Sequence, residues 1–348
     1  MLIAIEIILG VGLLIFVHEL GHFLVAKSRG IKVEKFSLGF GPKLLGVKKG
    51  DTEYMISLVP LGGFVKMAGE DPTESLVGEK WEYLSQPWWS RIMVVISGPL
   101  MNYILAIFIF SFLWYSGMKI PEFTKDAVIG EIMPSYPASK SGIKSGDKVI
   151  AINGKKIKRW SEFAEIIHTK ANKKVELTVL RDNKKLKVEL IPKFDENIKR
   201  GLIGVSPKIE SFTVKKLSVD RSIIAGVNQT LGITWMFFRW MKELVYGKVH
   251  IKDSVGGPIL IGIVAAKQAK SGLNDLLSFI ALLSINLAIL NLLPFPVLDG
   301  GHIVFLTVEG IIRKPIPLKV LAVFQQIGIA ILILIAVFTT FNDILRFK

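Results

Sequence analysis

Four stretches of the chain carry almost no polar side chain: Leu2 to Ala26, Ile92 to Met118, Leu276 to Leu293 and Val320 to Phe341. A helix needs about 20 apolar residues to cross a bilayer, so the pattern predicts four membrane-spanning helices. Between the second and third the pattern changes. Residues 127–208 alternate short apolar-polar runs with turns: "VIGEIM", "DKVIAINGK", "KVELTVLRD", "KLKVELIPK" and "GLIGVSP", with one helix near Ser161 to Thr169. Period-two alternation bounded by Gly, Asn and Asp predicts a small domain of strands. Residues 31–66 are too polar to span. The segment "EYMISLVPLGGFVKM" starts with strand-like alternation and reaches Gly62-Gly63, which predicts a membrane-associated β-hairpin with a turn at those glycines. Residues 222–246 are apolar but hold Arg239, Lys242, Glu243 and two tryptophans, a mixture suited to a helix lying flat in the interface.

The expected fold is a polytopic α-helical membrane protein with a β-hairpin near the membrane and an inserted β-rich domain. Its parts are residues 1–117 (first span, hairpin, second span), 118–212 (the strand domain) and 213–348 (interfacial helix, third and fourth spans). Lys27, Arg29, Lys32 and Lys35 follow the first span and nothing basic precedes it. The excess of positive charge on cytoplasmic loops then predicts an outer N-terminus and an outer strand domain. Even crossings between Met118 and Leu276 are required if the third span is to run parallel to the first. That favours a flat helix at 222–246, or its pairing with the run Val255 to Ala266 as a hairpin.

Composition narrows the function. The net charge of +15 does not single out nucleic acid, because 29 of the 44 basic residues are scattered through residues 119–270. Such a surface beside a bilayer meets anionic lipid, and no nucleic-acid partner is expected. With no cysteine, neither a disulfide nor a thiolate-ligated metal is available.

Against this apolar background the segment "FVHELGHFL", residues 16–24, is conspicuous. Ionisable side chains inside a membrane segment are costly and mark function. His18 and His22 are four apart and share a helix face, so they can bind one metal ion, with Glu19 beside them as general base. A catalytic zinc takes a third protein ligand and keeps one position open. His168 and His250 fall in soluble or interfacial parts. The third ligand is therefore sought in "NLAILNLLPFPVLDGGH", residues 286–302, where Pro294 and Pro296 break the helix at the end of the third span. Asp299 is favoured because a carboxylate lowers the charge of a dry dication site, with His302 as the rival. Asn102, Asn286 and Asn291 are further polar residues within or beside the spans; Asn102 and Asn291 are candidates for holding substrate. Tyr54, Ile56 and Leu58 are expected on an edge strand that receives unwound substrate by strand addition.

Two resemblances sharpen these expectations. The stretch "PASKSGIKSGDKVIAINGKKI" resembles the PDZ family of the circularly permuted bacterial kind, which implies a peptide-binding loop at Gly201, Leu202, Ile203 and Gly204. HELGH, "SGPLMN", the PDZ-like segment and "NLLPFPVLDGGH" together resemble the bacterial site-2 proteases, intramembrane zinc metalloproteases of the bacterial cytoplasmic membrane. That resemblance implies Zn²⁺ on His18, His22 and Asp299, Glu19 as acid and base, and Asn291 as a substrate-holding residue. It also implies single-span membrane proteins as substrates, of anti-sigma-factor or remnant signal-peptide type, with ectodomains or peptide C-termini met by the PDZ-like domain. A metal transporter and a non-catalytic PDZ membrane scaffold are the competing classes.

Overall fold

The computed structural model describes residues 2–70, 77–134, 136–195, 199–247, 256–314 and 316–347. His250 and Val255, named above, lie outside them. The chain divides into two compact units: residues 1–116 with 216–348, and residues 117–215.

The first unit is built on four helices long and apolar enough to cross a membrane: α1 (Leu2–Ser28), α2 (Trp88–Ser116), α7 (Leu273–Leu292) and α9 (Leu318–Phe347). Where side chains are small, α1 and α2 come close. A Cβ on Gly21 would lie 2.3 Å from the Ser97 carbonyl oxygen, and one on Gly98 would lie 2.4 Å from His22 Nε2. Contacts of Gly10 with Ile280 and of His18 with Asn291 show α7 running parallel to α1, as the parity argument requires. Among the described residues, the other helices of the unit are the 27-residue α5 (Val219–Val245) and two 14-residue helices, α6 (Pro258–Ser271) and α8 (Asp299–Ile312). Of the four long helices, α9 is the least buried. The buried Asp343 of α9 accepts the backbone N–H groups of Gly257 (3.0 Å) and Leu260 (2.8 Å) and so caps the start of α6.

Helix α5 packs along α2. Leu217 N–H donates to the Trp114 carbonyl, Trp114 Nε1 donates to Gln229, Gly226 abuts Ser111 and Ile107, and Thr234 meets Tyr103. These contacts run antiparallel along α2, a spanning candidate, while α5 itself is not among the four helices long and apolar enough to cross a membrane. The cause is a stripe of small side chains. Ser222, Gly226 and Thr230, four residues apart, are the buried face of α5, and small residues let helix backbones approach closely.

β1 (Val33–Lys49) and β2 (Thr52–Met67) pair antiparallel through a turn at Gly50 and Asp51, not at Gly62-Gly63. Gly62 takes φ 128° but stays within β2. The register doubles back. Phe36 faces both Val65 and Tyr54, and Ser37 faces both Phe64 and Met55. Tyr54, Met55 and Ile56 are also paired with Val47, Gly46 and Leu45. The limb around Tyr54 to Ile56 is thus interior, flanked on both sides, and the limb from Gly63 to Met67 is an edge.

The second unit packs α4 (Trp160–Thr169) on a four-stranded sheet of order β6-β5-β7-β8, made by Lys155–Lys156, Lys148–Ile152, Val175–Arg181 and Lys184–Leu190. Its core includes Val149, Ile152, Phe163, Ile167, Val175, Leu177 and Val179. Val175, Leu177 and Val179, alternate positions of β7, are buried, as period-two patterning demands. Helix α3 (Pro137–Lys140) and short strand pairs close the unit. The last pair, β3 (Met118–Phe123) with β12 (Ile209–Lys215), carries the unit to residue 215, so a boundary at 212 would cut a strand.

Candidate metal centre

Helix geometry puts His18 and His22 on one side of α1, and their rings meet edge to face at a centroid distance of 4.8 Å. His22 Nδ1 is 2.8 Å from the Val94 carbonyl oxygen, an acceptor only, so Nδ1 carries the proton and Nε2 presents its lone pair. His18 is oriented by Asn102. The amide lies 3.2 Å from His18 Nδ1 while its own Oδ1 is buried without a partner. Turning the amide end for end aims that oxygen at an Nδ1 proton and leaves His18 Nε2 bare as well. Two bare Nε2 atoms then face one another at 3.2 Å.

The third corner comes from α8. After α7 the chain runs through Pro294 and Pro296 in non-helical backbone, and Val297 takes φ 82°. For a β-branched residue that is a real outlier, costing on the order of 1–3 kcal/mol and tolerated where the surroundings over-determine it. Gly300 and Gly301 let α8 start against this loop, since a Cβ on either would strike a carbonyl of Leu293 or Phe295. Asp299, the first helical residue, thereby has Oδ2 at 3.1 Å from His18 Nε2 and Oδ1 at 3.7 Å from His22 Nε2.

Ligand atoms of His18, His22 and Asp299 all lie within 4.8 Å of one another. This donor set fits zinc. A tetrahedral ion with bonds near 2.05 Å holds its ligand nitrogens about 3.3 Å apart, close to the separation seen. Oδ2 of Asp299 is buried with no hydrogen-bond donor, a condition a cation would relieve. Asn291 Nδ2 is 3.3 Å from His18 Nε2. Glu19 lies beside the edge limb of β2: a Cβ on Gly63 would be 3.4 Å from its Cγ, and Glu19 and Val65 line one cavity. A cavity of about 500 Å³ joins these groups and is lined also by Tyr83, Arg91, His302 and Glu309.

The other expected residues fall differently. His302 lines the cavity but is outside the ligand cluster. Asn102 is fully buried behind His18, so it supports that ring and does not touch substrate, a correction to its expected role. Tyr54, Ile56 and Leu58 do not line the cavity; Tyr54 and Ile56 are already paired on both sides, which rules out strand addition there. In the second unit, Gly201 and Leu202 belong to β10 (Arg200–Leu202), Ile203 is buried, and the carbonyls of Ile203 and Gly204 accept the N–H groups of Ala138 and Met133. The sequence reading missed Val94, Gly98, Arg91 and Glu309. Their signal was available in part: Arg91, Val94, Gly98 and Asn102 recur at the helical spacing of a single face.

Two imidazole nitrogens and a carboxylate around one point, with a second carboxylate lining the same cavity, are equipment for hydrolysing an amide. The class is that of membrane-embedded metallopeptidases. The profile of peptidase family M50 matches residues 6–335, and the chain belongs to that family. Among curated relatives, "Putative zinc metalloprotease CPE1693" of Clostridium perfringens (strain 13 / Type A) is 38% identical over 332 residues, covering 95% of each chain. "Regulator of sigma-W protease RasP" of Bacillus subtilis (strain 168) is 30% identical over 413 residues, covering 96% of each chain. Of solved structures, a PDZ domain of an SdrC-like protein from Listeria monocytogenes aligns with 25% of this chain and 93% of its own, at 20% identity and a TM-score of 0.22.

Proposed function

We propose that this peptidase is a zinc-dependent intramembrane endopeptidase that cuts the membrane-spanning segments of single-span proteins. The observation that carries the reading is the convergence of His18, His22 and Asp299 beside Glu19, on or next to helices long enough to cross a bilayer. The relatives' names support zinc as the metal. One relative is named a regulator of sigma-W protease, which suits the anti-sigma-factor class of substrate, and remnant signal peptides are the second expected class.

Zinc bound by the three ligands would polarise the scissile carbonyl and bring the pKa of a water towards about 7. Glu19 takes the proton of the attacking water and delivers it to the leaving amine nitrogen. Val94 and Asn102 keep both imidazoles aimed while charge develops. The Asn291 amide is available to donate to a substrate carbonyl. A helical substrate hides its carbonyls in i to i−4 bonds and must unwind before attack. Extended backbone in an apolar setting then needs partners, and the edge limb Gly63 to Met67, beside Glu19, is the candidate partner in place of Tyr54 to Val59.

In this reading the N-terminus and the PDZ-like unit face outward, the metal lies towards the cytoplasmic side of a bacterial inner membrane, and the loop at Gly201 to Gly204 tests trimmed ectodomains. Glu19→Gln tests the proposal. It is expected to keep stoichiometric zinc yet abolish cleavage of a co-expressed single-span reporter. Cleavage at the wild-type rate by a zinc-loaded Glu19→Gln protein would overturn it.

A further inference from the structure

Five buried residues of α2 recur at helical spacing on one stripe: Arg91, Val94, Val95, Gly98 and Asn102. Three of them already serve the metal centre. Val94 fixes His22, Asn102 fixes His18, and Gly98 is the space into which both rings fit: a Cβ there would lie 2.4 Å from His22 Nε2 and 2.8 Å from His18 Cε1. The fourth, Arg91, touches neither ring. Its Nη2 donates to the Glu309 carboxylate on α8.

Asp299 has no comparable fixture on α1 or α2. It is the first residue of a 14-residue helix joined to α7 through the proline loop. Helix α8 packs chiefly on α2, and its far end is held there in two ways. Trp88 covers Gly310, where a Cβ would come within 2.7 Å of the indole, and Arg91 grips Glu309. Glu309 is about 15 Å from Asp299 along the helix axis. The ion pair is well covered, with side chains 8% and 19% exposed. A buried pair is a poor source of stability compared with packed apolar side chains, and fixing register is its best-attested use. A slip of α8 by one turn would carry Asp299 about 5.4 Å away from the imidazoles, which is further than the whole spread of the ligand atoms.

We propose that Arg91 and Glu309 are positioning residues for the third metal ligand: their ion pair locks the register of α8 on α2, so that one face of α2 aligns all three ligands. The inference rests on the metal reading above. Its test is made on the full-length protein in detergent with Co²⁺ as probe, because the visible absorption of Co²⁺ reports ligand geometry independently of turnover. Wild-type protein is expected to give the intense bands of a tetrahedral site. Glu309→Gln, nearly the same shape, is expected to bind Co²⁺ about 10–100-fold more weakly, as loss of a partner that orients a ligand does, and to show altered bands. The charge-swapped double variant Arg91→Glu with Glu309→Arg is expected to restore both.

Wild-type protein that takes up no Co²⁺ would sink the metal reading itself. A wild-type protein that binds it while Glu309→Gln binds equally well, with unchanged bands, would overturn only the register role. Should Glu309→Gln fail to fold, a folded swapped variant with wild-type bands supports the proposal, and a folded one without them refutes it.

Discussion

At Gly98 a single hydrogen atom decides whether the metal centre can exist. Gly98→Ala leaves the helix intact, since alanine favours helices, but pushes a methyl into both imidazoles. Displacing a catalytic group by about 1 Å costs on the order of 100-fold in rate. The variant is therefore expected to fold, to bind metal weakly and to lose at least that much activity, as metal titration and a reporter-cleavage assay would show. In the second unit Asp147 is the comparable pivot. Burial pushes its carboxyl upward, but bonds from Arg181 (2.7 Å to each oxygen) and the Lys144 N–H outweigh this and hold it below its ordinary range. A carboxyl with a lowered folded pKa stabilises fully above its unfolded value, about 3.9, and that contribution is lost as pH falls through the folded value. Asp147→Asn should lower stability at neutral pH and flatten the acid limb of stability. Amide exchange in β5 at pH 7, 4 and 3 measures both. The residues that do chemistry were legible in the sequence because charge in an apolar run stands out. Of those that aim them only Asn102 was picked out, since Val94 acts through its backbone and Gly98 through the absence of a side chain.

Among elements, α5 shows what a composition argument leaves out. Its charged residues suggested a helix on the membrane surface, yet its small-residue stripe follows α2. The stripe was readable at residues 222, 226 and 230; what it packs against was not, because helix pairing is a property of two sequences at once. Gly226→Leu should collide with Ser111 and Ile107, costing about 1–3 kcal/mol as overpacking does. A lowered thermal midpoint with unchanged zinc content is the expected result, and an unchanged midpoint would mean α5 is free to move aside. The sheet made a similar lesson. Alternation identified the strands from Val33 to Met67, but alternation is blind to which strand is central, so the edge was assigned to Tyr54 instead of Val65. The β-rich unit was the most legible part, because its turns are written in Gly, Asn and Asp.

For the molecule as a whole, the metal is expected to couple catalysis to stability. Ions that bind only the folded state add about 4 kcal/mol at a thousandfold excess over Kd. Chelation should therefore abolish cleavage and lower the midpoint of the helical unit, while leaving that of residues 117–215 unchanged; zinc should reverse both effects. An activity that survives exhaustive chelation would defeat the expectation. The long helices, their parity and the meeting of α1 with α7 followed from hydropathy and from the need to unite His18 with Asp299. One arrangement had no such herald. Asp343 caps the start of α6 across a separation of 86 positions in the chain. During synthesis, the first turn of α6 therefore stays without that acceptor until residue 343 has left the ribosome. The catalytic half cannot set its final contacts piece by piece as it is made, and a nascent chain that stalls short of that aspartate would present membrane quality control with an unfinished bundle.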